Sequence, residues 1–137
     1  MTLVTTSRRS TLATRSIAKD LAFATGAGYL SRGKHGLREI SDEHDLFIVF
    51  EQQRAGILMT LYREGEPCLM RIIKKHDTGV REGHLYRGIR TSDHELGGIL
   101  EGTCTVDYLD HNDLVLAFDG PQKRCMTLIL GRVLDDA

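Results

Sequence analysis

The chain has 137 residues, 41% hydrophobic and 27% charged, which suits one globular domain with a real core and excludes two large independent domains. No apolar run approaches the roughly 18 to 20 residues that cross a bilayer, so a soluble protein is expected. The net charge of −1 hides a polarised chain: residues 1–40 carry seven Lys or Arg against two acids (+5), residues 41–90 balance, and residues 91–137 carry three bases against nine acids (−6). That asymmetry points to a basic face for an anionic partner and an acidic end turned away from it.

Thr2 to Thr6 (TLVTT) is β-branched and bounded by polar residues, the pattern of a strand that opens the core. Its apolar stretch is too short for a signal peptide and its charges follow instead of preceding it, so a cytoplasmic protein is expected. Ser10 or Thr11 is placed to cap a helix over Leu12 to Ala24, a stretch free of Gly and Pro. At helical spacing Ala13, Ile17, Leu21 and Ala24 share a buried stripe, with Arg15 and Lys19 on the opposite side. Gly26 to Gly28 ends the helix, Tyr29 to Ser31 reads as a second strand, and RGKHG follows as a basic loop. The result is a β-α-β unit.

Leu37 to His44 reads as a short polar helix. Asp45 to Gln52 (DLFIVFEQ) is a nearly continuous apolar run, as expected of a strand buried on both faces in the interior of a sheet. Two hairpins then lead through Gly56 to Tyr62 and Cys68 to Lys75. His76 to Gly98 shows no clear period, apart from Ser92 and Glu95 at capping-box spacing ahead of a short helix. Asp113 to Gly120 and Arg124 to Val133 read as a last pair of strands about a turn at Gly120 and Pro121. The fold class is α/β with a mixed sheet.

Enzyme signatures are missing. SRGKHG lacks the spacing of a phosphate-wrapping P-loop, no G-x-G-x-x-G or G-x-S-x-G occurs, and none of the cysteines sits in a nucleophile pattern. Six histidines form no H-x-x-x-H pair, so neither a metal nor another cofactor is expected. Asp107, Asp110, His111 and Asp113 lack the glycine and terminal glutamate of a calcium loop and read as a solvated turn of undetermined role. Cys68, Cys104 and Cys125 are read as buried reduced thiols. Binding is therefore the leading class, with no catalytic residue and no small-molecule substrate.

The stretch TTSRRSTLATRSIAKDLA sets Ser7, Arg8 and Arg9 between a strand and a helix, where unpaired amides and the helix dipole favour a phosphate. Arg32 and Lys34, after the next strand, are placed to reach the same edge and make two basic loops flank one groove. Aromatic residues are 6% of the chain and Phe47, Phe50 and Phe118 fall in apolar strand runs, leaving Tyr62 and Tyr86 as base-stacking platforms. Readout of shape and phosphate, not of base sequence, is expected. Lys123 and Arg124, at a hairpin turn of the acidic segment, are expected to be exposed and dispensable to both fold and binding.

LVTTSRRSTLATRSIAKDLA, YLSRGKHGLREI and DLFIVFEQQRAGILMTLY, in that order and spacing from about Leu3 to Lys75, resemble the Brix domain in the short form of archaeal ribosome-biogenesis proteins. The resemblance implies an RNA-binding factor in rRNA processing and ribosomal subunit assembly. Its partners would be precursor rRNA or other structured RNA, together with ribosomal proteins or assembly factors. It also implies one domain over residues 1–137 made of two halves, about 1–78 and 79–137, each similar to the anticodon-binding domain of class IIa aminoacyl-tRNA synthetases. Ser7, Arg8, Arg9, Arg15, Arg32, Gly33 and Lys34 match its patterned positions, Lys19 completes an Arg-x3-Lys helix, and Arg54 matches a basic residue of a later turn. The chain departs from the family at Ser10, often proline, at Ser31, often asparagine, and in a second half that is less basic. A protein-interaction module that docks a basic ribosomal protein through the acidic C-terminal segment is the alternative.

Overall fold

The computed structural model describes residues 2–7, 9–30 and 45–133. In chain order these form β1 (Thr2–Thr6), α1 (Leu12–Thr25), β2 (Gly28–Leu30), β3 (Leu46–Gln53), β4 (Gly56–Arg63), β5 (Glu66–Val80), β6 (Ile89–Thr91), α2 (His94–Leu100), β7 (Val106–Tyr108), β8 (Leu114–Asp119) and β9 (Arg124–Arg132). The strands make one mixed sheet in the order β2-β1-β3-β4-β5-β9-β8-β6-β7. The mixed α/β class is as expected.

Outward from β5 the sheet runs through β4, β3, β1 and β2 on one side and through β9, β8, β6 and β7 on the other. Each flank ends in a parallel pair joined by a helix, β1-α1-β2 and β6-α2-β7. The flanks differ at one step: β1 and β3 are parallel, whereas β6 and β8 are antiparallel. Residues 31–45 are enough chain for the crossover that a parallel neighbour needs, about a dozen residues or more, and residues 109–113 are not.

One hydrophobic core joins both flanks because α1 packs on β1, β2, β3 and also β8. Ile17 and Leu21 are 1% and 0% exposed, and burying each fully contributes about 1.5–3 kcal/mol. Thr11 caps α1 by accepting from the Thr14 amide, and Gly26 ends it in the left-handed conformation at φ 73° that a side chain disfavours. Of the expected stripe Ile17, Leu21 and Ala24 are buried and Ala13 is exposed; the packed face is wider and also takes in Thr14, Ala18, Ala22 and Thr25, as a helix in contact with four strands requires. Strand β3 is buried at every residue from Leu46 to Phe50 between β1 and β4, and Phe47, Phe50 and Phe118 are all inside.

Other expectations need correcting. Strand β5 runs to Val80, beyond the expected Lys75, although Lys74 to Val80 are all exposed, because β9 supplies a ladder of partners from Arg71↔Arg132 to Val80↔Arg124. The cap of α2 is Asp93, not Ser92: its carboxylate accepts from the Leu96 amide and is held by Arg71 Nε at 2.7 Å, with both side chains buried. Ser92 Oγ instead donates to the Asp113 carbonyl, and Glu95 turns to Arg71 at 3.0 Å. The thiols are not buried: Cys68 is exposed and Cys104 and Cys125 are half-buried. The expected helix over 37–44, the last residue of the second strand, Ser31, and the loop after it lie outside the described residues. Among the described residues no helix is long and apolar enough to cross a membrane.

Candidate nucleic-acid interface

Parallel pairing brings the carboxyl ends of β1, β2 and β3 to one edge of the sheet, with Thr5 beside Leu30 and Thr6 beside Phe50. The β1–α1 loop leaves from that edge, and the β3–β4 turn, where Arg54 sits, closes on it three residues beyond Phe50. Ser7, Arg9 and Arg54 are thus gathered at one edge, together with the first turn of α1. Both Arg9 and Arg54 are exposed. Arg8, Arg32, Gly33 and Lys34 lie outside the described residues, although β2 delivers the chain to this edge at Leu30.

The hydroxyls of this stretch hold the loop itself. Thr5 Oγ1 donates to the Leu30 carbonyl at 2.6 Å, Thr6 Oγ1 to Ser10 Oγ at 3.2 Å, and Thr14 Oγ1 to Gln52 Oε1 at 3.3 Å, which ties α1 to the end of β3. The Ser7 amide donates to the Phe50 carbonyl at 2.9 Å, so it is already engaged. Arg15 Nη1 donates to the Ser10 carbonyl at 2.7 Å and braces the loop from the helix, a role that its place in a basic pattern did not show. A braced loop keeps its cations in place at little further entropic cost when an anion arrives. Arg9 is exposed there, next to the N-terminus of α1, which is the positive end of the helix dipole.

Beside this edge lies a cleft of about 290 Å³ lined by Leu12, Arg15, Ser16, Lys19, Asp20 and Arg124. Lys19 is exposed, with Nζ 5.6 Å from the centroid of the Tyr29 ring. Arg124 is not the exposed turn residue expected: Nε and Nη2 grip the carboxylate of Asp20, a side chain 1% exposed, at 3.1 and 2.8 Å. That pair raises the Arg124 pKa, chiefly through the hydrogen bond to Asp20. Lys123 is exposed at φ 62°, in the turn before β9. No sequence period links residues 104 apart, so this partnership was not legible.

Neither expected stacking platform is bare. Tyr62 lies parallel to Phe47 with ring centroids 4.7 Å apart, and Tyr86 carries the Arg90 guanidinium 4.2 Å from its centroid. At the far margin Glu101, Asp107, Asp110 and Asp113 are exposed, and His111 Nδ1 accepts from the Asp113 amide at 3.0 Å. Among the described residues no three His, Cys, Asp or Glu come together as metal ligands would.

No protein-family model matches the chain, and no curated protein does. Its structure is similar to the crystal structure of Mil, an archaeal Imp4-like protein, with a TM-score of 0.67 over 95% of this chain and 96% of that one, at 20% sequence identity. The likeness is one of fold. It extends beyond the stretch from Leu3 to Lys75 that carries the motifs, into the residues that follow.

Proposed function

We propose that this chain is an RNA-binding ribosome-assembly factor of the Brix type, cytoplasmic and without catalytic activity, acting in rRNA processing and subunit assembly. The observation that carries the reading is a convergence. The stretch whose residues resemble the Brix motif forms the braced loop at the carboxyl edge of β1, β2 and β3, and the entire fold is similar to that of an Imp4-like protein. The two halves, about 1–78 and 79–137, are supported by a strand order that repeats outward from β5 on either side. The partner is precursor rRNA or another structured RNA, met first by Arg9 and Arg54 and, in the same reading, by Arg8, Arg32, Gly33 and Lys34.

Arginine edges without a free aromatic stack favour readout of backbone shape over base sequence. Binding to a structured rRNA fragment is therefore expected to weaken linearly in log affinity against log salt, and to differ by less than about 100-fold between that fragment and a shuffled sequence with the same pairing. Arg9→Gln with Arg54→Gln should flatten the salt plot by about 0.7 per contact on single strands. An unchanged slope in that folded variant would remove Arg9 and Arg54 from the interface, and no RNA binding by the parent at low salt would sink the function. The second reading, docking of a basic ribosomal protein, rests on the exposed carboxylates of Glu101, Asp107, Asp110 and Asp113. It predicts pull-down of such a protein that Asp107→Asn with Asp110→Asn abolishes and Arg9→Gln leaves alone.

A further inference from the structure

We infer that the outward flank of α1 is a backbone track for a polynucleotide, built by both halves of the chain, with Lys19 and Arg87 as phosphate contacts that continue the edge formed by Arg9 and Arg54. The inference rests on the RNA-binding reading and extends it into the half whose composition argues against it. Leu12, Ser16, Lys19 and Phe23 follow one another at spacings of four, three and four and so share one flank of the helix, with the buried Asp20 at its border. Leu12 is 79% exposed and Lys19 is exposed. From Leu12 to Phe23 the eleven steps of about 1.5 Å make this flank about 17 Å long.

The second half adds cations at two points along it. Arg124, at the start of β9, locks onto Asp20, and Arg87, in the segment between β5 and β6, lies with its guanidinium 4.6 Å from the centroid of Phe23. Arg124 spends Nε and Nη2 on Asp20 and Nη1 on Gln122, so it is a brace that fixes this part of the second half against the helix. Arg87 is different. Stacking on an aromatic face leaves the edge of a guanidinium, where its donors lie, open to a phosphate, and Arg87 is exposed. Lys19 over Tyr29 likewise keeps its ammonium at the surface.

Charge favours an anion on this flank. Among the described residues the cleft beside α1 sets Arg15, Lys19 and Arg124 against Asp20, with Arg87 on Phe23 next to it, while the exposed acids Glu101, Asp107, Asp110 and Asp113 follow α2 and border β7 at the opposite margin of the sheet. Residues 91–137 are thus acidic as a segment yet present Arg124 to the basic flank. An extended polyanion fits a row of separated cations better than a compact one does, and the apolar Leu12 beside Arg15 suits the ribose and base faces of a nucleic acid better than an all-acidic peptide.

The test is the salt dependence of binding to a structured RNA for the parent, for Lys19→Gln with Arg87→Gln, and for Arg132→Gln. Arg132, 64% exposed and 3.7 Å from Glu95, lies away from the track and serves as the control. The double variant is expected to flatten the slope by about 1.4 to 1.8, some 0.7 for each contact with a single strand and about 0.9 for each with a duplex, with an unchanged far-ultraviolet spectrum, while Arg132→Gln leaves the slope alone. A folded double variant with the parent's slope overturns the track but spares the function, provided Arg9→Gln with Arg54→Gln still flattens it. Absence of RNA binding by the parent overturns both. Polyglutamate that displaces the RNA as well as an equal charge of competing RNA assigns the flank to acidic protein segments and also overturns the track.

Discussion

Arg124→Ala isolates a contact that the sequence does not show, between residues 104 apart. The substitution removes two charge-assisted donors, at 3.1 and 2.8 Å, from the carboxylate of Asp20, which has 1% of its side chain exposed and cannot recover hydration without local opening. Breaking a fully buried pair costs about 3–5 kcal/mol, and a hydrogen bond to a charged group contributes about 1.5–3 kcal/mol. Arg124 is itself 35% exposed, so water enters the space it leaves, and the expected loss is about 2–3 kcal/mol. With a urea m-value of about 2 kcal/mol per molar, the midpoint falls by roughly 1–1.5 M. Arg124→Lys keeps a charge but not the fork and should restore only part of that loss. Asp20→Ala in the Arg124→Ala background should cost much less than in the parent, a coupling that a double-mutant cycle reads directly. If Arg124→Ala unfolds within about 0.5 kcal/mol of the parent, the pair contributes nothing and Arg124 is the solvated turn residue that its position in the sequence suggests.

Arg71→Ala leaves the buried Asp93 carboxylate with the Leu96 amide but no cation, and urea unfolding should show a loss of about 3–5 kcal/mol; a loss below 1 kcal/mol would contradict the pairing. Two adjacent glycines of α2 should respond with opposite signs: a Cβ at Gly97 would meet Tyr108 atoms at 2.6 and 2.8 Å, whereas one at Gly98 meets nothing within 4 Å. Gly97→Ala is thus expected to destabilise by about 1–3 kcal/mol and Gly98→Ala to stabilise by about 0.5–1 kcal/mol, and equal effects in thermal melts would refute the packing at Tyr108. Burial, and after it the Asp107 carboxylate, pushes the Tyr86 hydroxyl up from 10.0 to about 12. A folded value above the unfolded one means that the neutral ring favours the folded state below about pH 10, an advantage lost as pH rises through about 12. Ultraviolet titration should show a late phenolate step that Tyr86→Phe removes, and an unaltered curve in that variant would contradict the shift.

Local chemistry determined a good part of this protein. β1, α1 and β3 are written in short-range patterns: β-branched residues, a Thr cap with a Gly stop, and five successive apolar residues that only a doubly covered strand can bury. The charge polarity and the basic strand–helix junction were legible in the same way, because they depend on residue type and spacing alone. What lay beyond were features whose cause is a distant partner. The exposed half of β5 is a strand because β9 offers it a ladder some fifty residues later, and β6 and β7, three residues each, are too short to show a period. Asp93 displaced Ser92 as the cap of α2 because Arg71 arrives from β5 to hold it. The largest revision concerns the acidic end of the chain, which composition set apart from the basic face. Helix α1 packs across to β8, so the loops beside β8 and β9 meet its flank and bring Arg124 to Asp20 and Arg87 to Phe23. Burial of one shared core draws these surfaces together, and no local pattern encodes which side chains then meet.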